Sequence, residues 1–119
     1  MKRDMDLVRE LLLRVEEDRF DAAFIDNADA DTKYHIHLLI EQKWLERVLI
    51  SQTIGASDPV IVSGRPQLSW DGHEFLETIR QKTVWEKIKK LIDEKGVGLS
   101  IDGIKIAAPL VVKSMLGPG

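Results

Sequence analysis

The sequence predicts an α+β fold in which a helix, a short strand, a second helix and a β-hairpin are followed by C-terminal helices. Three patterns carry this expectation. Met5, Val8, Leu11, Leu12 and Val15 recur at the three- and four-residue spacing of one helix face. The β-branched run from Val48 to Thr53 leads into turn residues and a second extended run at 60–62. Beyond residue 80 the apolar positions return to helical spacing and hold it almost to the C-terminus.

Each element has its own local signal. Residues 4–17 read as an amphipathic helix, with Asp4 or Asp6 as its cap and acids in the first turn to suit the helix dipole. Leu7 and Leu13 fall off the main stripe, so the helix is expected to be covered on more than one side. The short apolar run Ala22-Ala23-Phe24-Ile25 reads as a brief edge strand. Residues 26–31 are rich in capping types and form a loop that ends at a helix start. Residues 32–43 make that helix, with Ile36, Leu39, Ile40 and Lys43 sharing a face and Trp44-Leu45 leaving it.

The hairpin has strands at 48–53 and 60–62, a turn at Gly55–Pro59, a second turn at Ser63–Pro66 and a return through Gln67-Leu68-Ser69. Asp71 is the expected cap of the next helix, with Glu74 as its reciprocal partner and Trp70 packed as a staple. Thr83-Val84-Trp85-Glu86 repeats the capping pattern, and Trp85, Ile88, Leu91 and Ile92 give the helix behind it an apolar stripe that ends at Gly96. Ser100 or Asp102 starts the last helix, which reaches Leu116. Pro109 inside it removes one backbone hydrogen bond at a cost of about 3 kcal/mol, so a kink or a break is expected there. Apolar residues surround this helix, and a helix apolar all round is normally buried all round. In so small a chain a second copy is the natural cover, with Ile104, Leu110, Val111 and Met115 as the expected homodimer interface.

Composition narrows the function. A chain of 119 residues fits a single domain, 1–119, with a core over about residues 1–80 and a helical extension over about 83–116. The absence of cysteine removes disulfide scaffolds, thiolate zinc sites and cysteine nucleophiles. The longest apolar run, Ile106–Val112, falls far short of the roughly 20 residues of a membrane span. Acids at Asp4 and Asp6 stand where a signal peptide would turn apolar, so a soluble cytoplasmic protein is expected. The net charge of −3 argues against bulk-electrostatic binding of nucleic acid or anionic membrane. It is also uneven: between residues 16 and 32, seven acids face only Arg19.

The order of elements is that of a winged-helix domain, with the first helix of the helix-turn-helix pair short or absent. The opening Met1–Val8, the central Tyr34–Glu41 and above all Leu68-Ser69-Trp70-Asp71-Gly72-His73-Glu74-Phe75-Leu76 resemble the bacterial and phage-derived family catalogued as domain of unknown function 2513. More loosely, the chain is similar to winged-helix regulators, with Trp44 where they carry glycine and Ser69 where they carry threonine. The family has no established activity. What the resemblance implies is a winged-helix-like fold and a DNA-associated role in a phage or mobile element.

The candidate residues follow from that frame. Lys33, His37, Arg47 and Arg65 would decorate the second helix and the wing, from which such folds touch base edges and phosphates, with Arg65 at the wing tip. His35 and His37 invite a metal reading, but residues two apart on a helix diverge by about 200°. His35 is instead expected to be packed and hydrogen-bonded, and His37 to point outward. Asp26, Asp29 and Asp31 lack the glycine and glutamate of a calcium loop. Ser51, Ser57, Ser63 and Ser69 stand in no nucleophile setting, and the Gly96-x-Gly98 pair lacks a phosphate-loop context. His73 with Glu77 specifies no nucleophile either. The bases between Arg80 and Lys95 read as a solvated helix face. The expected function is a dimeric winged-helix regulator of double-stranded DNA, without catalysis, metal, cofactor or small-molecule substrate. The alternative is a protein-interaction module on the same frame that does not bind DNA.

Overall fold

The computed structural model describes residues 3–51 and 60–117, and the side chains of 47–51 and 60–65 lie outside that description. Among the described residues the architecture is α+β, with six helices and one two-stranded antiparallel sheet. The chain divides into two compact units, Met1–His73 and Glu74–Gly119.

In the first unit, α1 (Met5–Glu16) starts at Asp4, whose carboxylate accepts from the N–H groups of Asp6 at 3.0 Å and Leu7 at 3.3 Å. Its buried residues are Met5, Val8, Leu11, Leu12 and Val15, the stripe expected from spacing. That stripe packs on α3 (Ala30–Glu41) and on the second strand. Burying each such side chain contributes roughly 1.5–3 kcal/mol.

Residues 22–25 are helical, not a strand: α2 (Ala22–Asn27) is capped by Asp21, whose side chain accepts from Phe24 N at 2.9 Å. Two contacts fix this turn of helix beside α1. Phe24 lies 5.5 Å from the Phe20 ring, and the Arg14 guanidinium stacks 4.1 Å from the Phe24 centroid. The short apolar run thus packs through one aromatic and one cation, which strand alternation does not reveal.

Both α1 and α3 end in a Schellman turn. After α1, Asp18 takes φ 62°, with Asp18 N donating to Val15 O and Arg19 N to Arg14 O. After α3, Lys43 takes φ 61°, with Lys43 N donating to Ile40 O and Trp44 N to Leu39 O. Glycine ordinarily fills this left-handed position.

β1 (Leu45–Ser51) pairs with β2 (Val60–Leu68) from Leu45↔Leu68 out to Ser51↔Val60, with irregularities between Glu46 and Val48 and between Leu49 and Ile50. Ser63–Pro66 is therefore strand rather than turn. The register shift absorbs Gly64 and Pro66, which a regular ladder would resist. The expected turn at Gly55–Pro59 lies outside the described residues.

α4 (Trp70–Ile79) begins one residue after its cap, and that cap is Ser69 rather than Asp71: Ser69 Oγ accepts from Gly72 N at 3.1 Å. The same hydroxyl donates to Lys43 O at 2.8 Å, and Ser69 N donates to Trp44 O at 2.8 Å. The start of α4 is thus tied to the chain just before β1. Trp70 is 77% exposed and does not act as a staple.

In the second unit, α5 (Lys82–Glu94) starts ahead of Thr83; its N-cap Gln81 makes no side-chain capping bond. Val84, Trp85, Ile88 and Ile92 are buried, and α5 packs on α6 (Ile101–Leu116) through that unit's own core. Ser100 caps α6, accepting from Gly103 N at 3.0 Å. The helix runs unbroken through Pro109, which lies on its exposed side.

Candidate nucleic-acid interface

The helix pair and sheet of the first unit carry the four positions expected to meet nucleic acid. α2 and α3 are separated only by Ala28-Asp29. Asp29 caps α3, accepting from Thr32 N at 2.8 Å. That backbone bond, with help from the Thr32 hydroxyl, holds the Asp29 carboxyl below its ordinary range.

His35 fixes the other side of α3. It is fully buried, and both ring nitrogens are engaged. Nδ1 lies 2.7 Å from Asp31 O and Nε2 accepts from Asp4 N at 2.7 Å. A carbonyl on Nδ1 and an N–H on Nε2 specify the neutral ring with its proton on Nδ1. The imidazole therefore joins the cap residue of α1 to the first turn of α3, and neither nitrogen is left for a metal.

The four expected contact residues are placed differently. Lys33 is exposed on α3. His37 is half-buried, and its Nε2 lies 3.7 Å from Glu41 Oε1. Arg47 and Arg65 sit on β1 and β2 within the same irregular rung, because Glu46 pairs with Gln67 and Val48 with Gly64. Arg65 is thus three residues from the inner end of β2, not at the tip. The topology brings these two arginines to one level of the sheet and puts Lys33 on the preceding helix. Around them the field is mixed: Asp26, Asp29, Asp31 and Glu41 are all exposed.

Trp70 is the exposed aromatic that the sequence reading missed. It heads α4, directly after the Ser69 tie. Its neighbour Gly72 shows why the segment is built this way. A Cβ on Gly72 would lie 2.5 Å from Trp44 O, so only glycine lets α4 start this close to β1.

The expected dimer residues separate into two sets within the second unit. Ile104 and Val111 are buried in that unit's own core, at 0% and 6% exposure, and have no surface left for a partner. Leu110 and Met115 remain exposed. Met115 lines a cleft of about 310 Å³ with Val84, Val112 and Leu116, beside the Arg80–Glu77 ion pair. No helix among the described residues is long and apolar enough to cross a membrane.

Comparison with known proteins agrees with the resemblance seen in the Leu68–Leu76 segment. The model of the family described as "Hypothetical protein (DUF2513)" matches residues 2–98, and the chain belongs to that family. An uncharacterised protein of Haemophilus influenzae is 32% identical over 122 residues, spanning 98% of this chain and 99% of its own. No solved structure matches.

Proposed function

For this member of the DUF2513 family we propose a winged-helix type of DNA-binding regulatory role, without catalysis. The observation that carries the reading is the run α2–α3–β1–β2. A short helix, a two-residue break and a second helix lead directly into an antiparallel strand pair. This is the order in which helix-turn-helix proteins set a recognition helix beside a wing. The helical state of 22–27 supplies the first helix of that pair. In this reading Lys33 meets the backbone beside the groove, while Arg47 and Arg65, level on the sheet, supply the remaining charge.

Binding on so few cations is weak and strongly salt-dependent. Three phosphate contacts give a slope of log K against log salt of about −2.7. The test is fluorescence anisotropy of a labelled duplex at low and moderate salt, with wild type and the Lys33→Glu/Arg65→Glu pair. Binding at low salt that the pair abolishes supports the reading. Absence of low-salt binding above roughly tens of micromolar overturns it, since non-specific binders already reach that range at physiological salt.

A second reading has its own observation. Asp26, Asp29 and Asp31 are exposed along α2 and the start of α3, where a recognition helix would approach phosphate. That surface suits a basic protein partner on the same frame, and DNA titration that fails at all salt concentrations favours it.

A further inference from the structure

The second unit leaves a broad face of α6 uncovered, flanked by the exposed Lys105, Val112 and Leu116. Asp102, Ile106, Pro109 and Lys113 are all exposed, Ile106 at 70%, and Leu110 beside them is 57% exposed. Their spacing of four, three and four residues places the first four residues on a single seam. The opposite face, with Ile104, Ala107, Ala108 and Val111, is the one buried within the unit. The seam therefore faces away from that core.

Charge along the seam has a direction. Its acid, Asp102, stands near the N-terminal end and its base, Lys113, near the C-terminal end. The two are eleven residues apart, about 16 Å along the axis. Two copies laid antiparallel about a two-fold axis bring each Asp102 beside the partner's Lys113 and each Ile106 beside the partner's Pro109. Laid parallel, they would oppose acid to acid and base to base. A seam complementary to its own reverse is what a two-fold interface requires.

We propose that α6 is a self-association surface, pairing antiparallel with a second copy of this chain through the Asp102–Ile106–Pro109–Lys113 seam. The occupant is a second copy because the charge pattern is complementary to itself. The interface is small. One 16-residue helix per copy makes an interface below the roughly 1,200 Å² of a standard stable one, so a weak dimer is expected, with dissociation sought at about 10–100 μM. It does not depend on DNA binding, and its failure leaves the proposed function standing.

Sedimentation equilibrium of the full chain tests it, with circular dichroism to check that each variant folds. Wild type is expected to dimerise in that range. Asp102→Lys and Lys113→Asp each turn two attractive contacts per dimer into repulsive ones and weaken association about tenfold. The double swap, or an equimolar mixture of the two single variants, restores it. The chain has no cysteine, so Ile106→Cys supplies a clean cross-link. Across the two-fold axis the two introduced thiols lie within disulfide reach, whereas Val112→Cys stays monomeric under the same mild oxidation. A monomer at every concentration overturns the proposal. So does a dimer indifferent to both charge reversals, which would leave Asp102 and Lys113 as residues that only suit the helix dipole. Failure of the Ile106→Cys variant to cross-link overturns the register.

Discussion

Substituting Gly72 with alanine tests the junction on which the first unit turns. A Cβ there would lie 2.5 Å from Trp44 O, 3.2 Å from Trp44 Cβ and 3.3 Å from Trp44 C. Ordinary contact begins at 3.4 Å, so the helix start must retreat by about 0.9 Å. It is not free to do so. Trp44 O accepts from Ser69 N, Lys43 O accepts from Ser69 Oγ, and Ser69 Oγ accepts from Gly72 N. Retreat strains bonds each worth about 1 kcal/mol, and overpacking adds about 1–3 kcal/mol. Against this, alanine in a helix gains about 1 kcal/mol over glycine. The net expectation is a loss of about 2 kcal/mol. Urea unfolding followed by far-ultraviolet circular dichroism reads it as a midpoint lowered by about 1 M with an unchanged slope. Gly98→Ala, where a Cβ meets nothing within 4 Å, is the control and stays within about 0.5 kcal/mol of wild type. A Gly72→Ala chain as stable as wild type, or more stable, would refute the close approach and leave only the helix gain.

Three further outcomes are expected. Lys43→Gly stabilises by about 0.5–1 kcal/mol in the same unfolding assay, because it relieves a side chain held at φ 61°. Asp29→Ala loses the α3 cap at neutral pH, and Asp29→Asn keeps an acceptor there. Because the folded Asp29 carboxyl lies below its ordinary value, its stabilisation is complete above that value and disappears as pH falls through the folded one. Stability–pH curves should therefore show a flatter acid limb for Asp29→Asn than for wild type. Trp70→Ala changes stability by less than about 0.5 kcal/mol, whereas Trp85→Ala, at 1% exposure, loses about 3–5 kcal/mol.

Periodicity makes the long helices legible. The α1 stripe is buried as its spacing demands, and Trp85, Ile88 and Ile92 do the same for α5. His35 is readable as a packed histidine because it adjoins the Leu39 face. The α2 helix is not readable: six residues are too few to show a period, and a cation over an aromatic ring holds them. The ends of α1 and α3 are hidden as well, since Asp18 and Lys43 occupy positions where glycine is the usual signal. Gly64 and Pro66 suggest a turn because a bulge that can absorb them is a property of the pairing, not of either strand. For the candidate site, the sequence offers Lys33, His37, Arg47 and Arg65 as candidate contact residues but does not give their arrangement. That Arg47 and Arg65 share a rung follows from a register shift no local pattern encodes.

The segment that carries the family resemblance holds residues with structural work and one large apolar residue without it. Ser69 caps α4 and binds back to Lys43, and Gly72 admits the Trp44 carbonyl. Phe75 and Leu76 are buried. These residues account for themselves as architecture and carry no information about a ligand. Trp70 stands among them with 77% of its surface in water, a state in which so large an apolar side chain gains little from folding. Exposed aromatics of this kind are the usual anchors of binding surfaces. The two substitutions therefore separate the segment's two burdens. Gly72→Ala lowers stability. Trp70→Ala leaves stability in place and, if the strand pair and the α4 start form one binding face, lowers the low-salt DNA affinity without altering the salt slope, because it removes contact area and no charge.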